Sequence, residues 1–187
     1  VFVYGTLGYA CFRIPSLLVL PNGRRLAFAE GRKNCLEGPF GDTINIVMRV
    51  SLDSGNTWGP VRMVYGEKTP PGGTPVWMSG PLPVLLHDEH HKDQVVLLFT
   101  RGNHDVLLLR SLDGGDTWPS HPADITEQVV PDSWNFVATG PAAGVQLPSG
   151  RLVVCCDHAT GSTPDVRHIV GANTSIRSHA MFSDDYG

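Results

Sequence analysis

The sequence predicts an all-β fold made of repeated sheet units, on three observations. A box of residues, Ser51-Leu52-Asp53-Ser54-Gly55-Asn56-Thr57-Trp58, recurs as Ser111-Leu112-Asp113-Gly114-Gly115-Asp116-Thr117-Trp118 and starts again at Ser183-Asp184-Asp185-Tyr186-Gly187. With 21 glycines and 15 prolines in 187 residues, turn formers make up about a fifth of the chain, which suits short strands joined by tight turns. The only helix-like run, Ala123 to Val130, is short and bracketed by prolines. One supersecondary unit repeated with variable loops between copies is the signature of a β-propeller. Residues 1–187 are read as one partial propeller domain, and the stop inside the third box predicts a fragment.

Taken in order, strands are expected at Ser16 to Leu20, Arg25 to Glu30, Ile44 to Val50, Pro83 to Leu86, Val95 to Thr100, Val106 to Arg110, Gly144 to Leu147, Arg151 to Cys156 and His179 to Phe182. Pro21-Asn22-Gly23 and Pro148-Ser149-Gly150 supply hairpin turns between apolar runs. Each box follows a strand and reads as a turn. The Asp carboxylate accepts backbone N–H bonds across it, Gly takes the positive φ, and Trp covers the hairpin. Because that Asp recurs in every repeat, Asp53 and Asp113 are structural, whereas an active site needs its carboxylate once.

Composition excludes several function classes. A net charge of −4, with no block of like sign, lacks the basic footprint of a nucleic-acid binder. No apolar run is long enough for a membrane helix, and the opening VFVYGTLGYACF lacks the charged and apolar regions of a signal peptide. Cys11, Cys35, Cys155 and Cys156 show no zinc-site spacing, and the adjacent Cys155 and Cys156 read as buried packing residues rather than a disulfide. The polar group His87, Asp88, His90 and His91 reads as a solvated hairpin tip rather than a metal site. Asn173-Thr174-Ser175 is a glycosylation sequon that matters only in a secretory context.

Phe12-Arg13-Ile14-Pro15, followed by Leu26-Ala27-Phe28-Ala29-Glu30-Gly31-Arg32 and then by the boxes, resembles the sialidase (neuraminidase) family. Ala138-Thr139-Gly140-Pro141, Gly144-Val145-Gln146-Leu147, Gly150 to Val154 and Cys156-Asp157-His158 extend the resemblance over nearly the whole chain. It implies a six-bladed β-propeller, of which about three blades are present, and an exo-α-sialidase that removes terminal sialic acid from glycoproteins, glycolipids or oligosaccharides with retention. The alternative is a noncatalytic sialidase-like glycan-binding propeller. No cofactor or metal is implied, and the partner is a sialylated glycan.

The resemblance also implies roles. Arg13 is one of three arginines that clamp the sialic acid carboxylate, and its planar donor fork suits a permanently anionic ligand. Arg32 is a second binding arginine. The general acid/base lies on the loop Lys33 to Ile44, where Asp42 is the only Asp and Glu37 the alternative; Phe40 and Pro39 could form the apolar wall that raises its pKa. Many relatives carry two acids there, and Pro39 falls where the first would stand, which leaves a missing acid as a further reading. Met78-Ser79-Gly80-Pro81 resembles a pocket-lining stretch with Gly80 in place of Asn, and Asp157 and His158 sit where the family places residues near the glycerol chain or aglycone. The nucleophilic Tyr, its Glu partner and the other carboxylate-binding arginines are expected in later blades, so the chain alone is expected to be inactive.

Overall fold

The computed structural model describes residues 1–36, 43–160 and 175–187. They form three antiparallel sheets in chain order, with one helical turn, α1 (Thr126–Val129). The first sheet runs β1 (Cys11–Val19), β2 (Arg25–Arg32), β3 (Ile44–Ser51), β4 (Arg62–Tyr65), and the second β5 (Met78–Leu85), β6 (Val95–Arg101), β7 (Asp105–Ser111), β8 (Ala123–Asp124). In the third, β10 (Val145–Gln146), β11 (Leu152–Thr160) and β12 (Ser175–Ser183) pair in order, and β9 (Trp134–Thr139) pairs with β11 beside β10. These are three blades of a propeller. The helix-poor expectation holds, while β4, β8 and β9 were not anticipated.

The core lies between blades. One cluster joins Leu18, Leu26, Phe28, Ile46 and Met48 of blade 1 to Val95, Leu97, Phe99, Leu107 and Leu109 of blade 2. A second joins Leu82, Val96, Leu98 and Leu108 of blade 2 to Val137, Leu152, Val154 and Cys156 of blade 3. Blade 2 is thus covered on both faces, which explains why its middle strands are continuous apolar runs, Val95 to Phe99 and Val106 to Leu109, while β11 alternates buried and less buried positions.

Both complete boxes close as the sequence implies. Thr57 donates its N–H to Asp53 Oδ1 (2.8 Å) and its hydroxyl to Oδ2 (2.6 Å), and Thr117 repeats both bonds to Asp113 at 2.9 and 2.6 Å. Ser51 and Ser111 each donate to the same Asp and accept from the N–H of Gly55 or Gly115 at 2.8 Å. The Thr57 hydroxyl and N–H hold the Asp53 carboxyl down to about 2. The tryptophans differ from expectation. Trp58 does cover its own turn, donating to the Gly55 carbonyl at 3.1 Å, but Trp118 reaches into blade 1, edge-on to Phe28 and with Nε1 on Met48 Sδ at 3.3 Å.

The innermost strand of every blade carries the same irregularity. In β1 the ladder slips between Arg13 and Ser16, in β5 between Ser79 and Leu82, and in blade 3 the inner strand breaks after Thr139. At each site a residue in the left-handed region precedes a proline: Ile14 (φ 50°), Gly80 (φ 65°) and Gly140 (φ 71°). Two of these are glycines, for which the conformation is free, whereas a β-branched residue there is strained by roughly 1–3 kcal/mol.

Candidate functional site

Arg13 and Arg32 lie at the same end of two neighbouring strands. The β1–β2 ladder sets Cys11 opposite Arg32 and Arg13 opposite Glu30, then Ser16 opposite Phe28 and Leu18 opposite Leu26. On β2 the step from Glu30 to Phe28 is two residues, while on β1 the matching step from Arg13 to Ser16 is three. The bulge at Ile14-Pro15 therefore brings Arg13 into the ladder row that faces Glu30, a row that an unbroken strand would give to Ile14. Arg13 is exposed at this end of the strands, whereas Arg32 is buried.

Glu30 is the residue that sequence reasoning missed. It is fully buried, and both its oxygens are occupied. Oε2 accepts from Arg32 Nε (2.9 Å) and Nη2 (2.5 Å), and Oε1 accepts from the Ser79 hydroxyl (2.6 Å) and the Gly80 N–H (3.1 Å). Arg32 also donates from Nη1 to the Leu36 carbonyl at 3.3 Å. A signal was present in the sequence, because Glu30 and Arg32 continue the period-two stripe that Leu26 and Phe28 begin, and a charge in an inward stripe must be paired.

Neighbouring groups fix this corner. A disulfide joins Cys11, opposite Arg32, to Cys35 beyond it, a pairing the cysteine spacing did not reveal. Gly31 lies against the Tyr9 ring, at 2.8–3.0 Å from where a Cβ would sit, so a side chain there would displace the tyrosine. Gly80 acts through its backbone, since its carbonyl accepts the Thr139 hydroxyl at 2.6 Å and a Cβ would run into the Thr139 carbonyl. It contributes no side chain in place of the Asn expected at that point. Asp42 and Glu37, the candidates for the acid, lie outside the described residues, as does Asn173 of the sequon.

Asp157 and His158 point to opposite faces of β11. His158 stacks on Trp134 with ring centres 3.7 Å apart, and its Nδ1 lies 3.0 Å from His179 Nδ1. Burial pushes both imidazoles down, reinforced by Arg177 near His158 and by His158 near His179, while burial raises Asp157. Cys156 is buried and its thiol is pushed up to about 12, chiefly by burial, but Cys155 is exposed, because only one face of β11 meets blade 2. Tyr65 is no activated nucleophile, since burial and Glu67 push its phenol up to about 12. Asp88 closes a turn onto the His90 and His91 N–H groups, and among the described residues no cluster of three or more His, Cys, Asp or Glu is arranged to hold a metal. No helix among them is long and apolar enough to cross a membrane.

No protein-family model matches the chain. Individual proteins do. An exo-alpha-sialidase of Aspergillus fumigatus is 32% identical over 177 residues, covering 79% of this chain and 41% of that protein. Sialidase-3 of Mus musculus is 31% identical over 193 residues, covering 94% of this chain and 44% of the mouse protein. The chain belongs to the sialidase family. Its fold agrees: a Hadza microbial sialidase, Hz136, superposes with a TM-score of 0.75 at 22% identity over 96% of this chain and 36% of that one. A Trypanosoma rangeli sialidase in complex with sialic acid superposes with a TM-score of 0.65 at 15% identity, over 97% and 30%. The chain thus spans less than half the length of these curated relatives.

Proposed function

We propose that the protein carrying this chain is an exo-α-sialidase that hydrolyses terminal sialic acid from glycans with retention, and that residues 1–187 supply its entry arginines as part of one propeller domain. The observation that carries this reading is the corner at the end of β1 and β2, where Arg13 stands opposite a buried carboxylate that holds Arg32. Names of the relatives at 31–32% identity point the same way.

In this reading Arg13 binds the sugar carboxylate through its guanidinium fork, and Arg32 contacts the ligand beside it. Both supply electrostatic stabilisation and orientation through their planar N–H forks rather than proton transfer. Glu30 is excluded as the acid, because each of its oxygens already accepts two donors away from solvent. Proton donation to the leaving oxygen then falls to the segment 37–42, with Asp42 the first candidate and Glu37 the second. Pro39, where the first of two family acids would stand, favours the second reading, a glycan-binding propeller without turnover.

A proton NMR time course of the intact protein with sialyllactose separates the two readings. Release of the α-anomer of sialic acid first is the expected result, and binding without release would establish the lectin.

A further inference from the structure

We propose that Glu30 is a positioning residue for ligand recognition, acting through Arg32. Burying a carboxylate costs several kcal/mol unless its lone pairs are filled, and here four donors fill them. Two of the four come from Arg32 and two from blade 2, through the Ser79 hydroxyl and the Gly80 N–H. Glu30 therefore does two things at once. It fixes the guanidinium plane of Arg32 by gripping Nε and Nη2 on one oxygen, and it references that plane to the bulge of the neighbouring blade. An arginine with four rotatable side-chain bonds is otherwise a loose ligand, and locking it beforehand lowers the entropy lost on binding.

The location supports recognition rather than packing alone. Lower on the same stripe of β2, Leu26 and Phe28 fill the blade 1–blade 2 core with apolar groups, and the adjacent β3 partners of Glu30 and Arg32 are Ile46 and Ile44, both buried. An apolar pair would complete that stripe more cheaply, since replacing a buried ion pair by apolar groups of similar size is often neutral or stabilising. The ion pair occurs where the stripe reaches the end of the strand that carries Arg13.

This inference rests on the proposed sialic acid ligand, and the test keeps the two separable. Calorimetric titration of the intact protein with free sialic acid is run on wild type, Glu30→Gln, Arg32→Lys and the double variant, with melting temperatures measured alongside. Wild type binds, Glu30→Gln weakens binding by about tenfold, as for loss of a charge-assisted bond, and in the Arg32→Lys background the same change costs less than about twofold, because no fork remains to be oriented. Equal affinity of Glu30→Gln and wild type, with only the melting temperature lowered, would leave Glu30 a packing residue and overturn the proposal. So would a penalty undiminished in the Arg32→Lys background. If Glu30→Gln does not fold, Glu30→Asp keeps the charge but withdraws it by one methylene, and unchanged affinity in that variant overturns the proposal equally. A wild-type protein that does not bind sialic acid would sink the functional reading itself and this inference with it.

Discussion

At the scale of single residues, the sequence and the structure are tied most closely at the boxes. Burial raises Asp113, but the Thr117 hydroxyl and N–H, with Ser111, together outweigh it and hold the carboxyl down to about 2. A carboxyl whose folded pKa is depressed adds stability above its unfolded value of 3.8, and that stability is lost as pH falls through about 2. Asp113→Ala is therefore expected to lower stability at neutral pH by about 1 kcal/mol, as for a lost cap, and the gap to wild type should narrow between pH 4 and pH 2 in thermal unfolding. A gap independent of pH would mean the carboxylate is not the source. Arg13 yields a kinetic expectation: in the intact protein Arg13→Lys should lose at least about tenfold in kcat/KM with the fold retained, because a point charge cannot replace the fork. Unchanged kinetics would remove Arg13 from the site. Arg13 and Arg32 stand out in the sequence because motif residues surround them. Glu30 lies in the same motif but carries no role in the sequence reading; its contacts depend on Ser79 and Gly80, far away in sequence, and only the folded chain brings them to it.

At the scale of elements, legibility followed local pattern. Long apolar runs such as Val95 to Phe99 and turns such as Pro21-Asn22-Gly23 announced themselves, and Gly23 indeed donates to the Leu20 carbonyl at 2.9 Å. By contrast β4 and β8 are short outer strands with few buried positions, and β9 mixes polar and aromatic residues, so none shows clean alternation. The inner-strand bulges were hidden for a different reason. Their common feature is a backbone conformation before Pro15, Pro81 and Pro141, which one isoleucine, Ile14, and two glycines, Gly80 and Gly140, adopt. The boxes also turn out to be unequal elements. Trp118 bridges two blades through Phe28 and Met48, whereas Trp58 bonds within its own turn. Trp118→Ala should consequently destabilise by about 3 kcal/mol or more, the range for a large side chain lost from a core, and Trp58→Ala by clearly less. Chemical denaturation of the two variants gives the comparison, and equal losses would contradict the bridging role.

At the scale of the whole molecule, the three blades share cores with their neighbours, and among the described residues the outer face of blade 3 joins neither core. The register sets Val153 opposite Phe182 and Cys155 opposite Ala180 on that face, and Ile176, Phe182 and Cys155 are exposed on it. Exposed apolar groups beside a strand edge favour association with other chains. Residues 1–187 expressed alone are thus expected to self-associate. They are also expected to be catalytically silent, because the resemblance implies a nucleophile and further arginines outside residues 1–187. The most direct measurement is turnover of a fluorogenic α-sialoside by the intact protein and by residues 1–187, side by side, with light scattering on both. The account predicts steady turnover by the intact protein and none by the isolated, associating chain. A monodisperse monomer of residues 1–187 that turns the sialoside over, or an intact protein that does not, would contradict it.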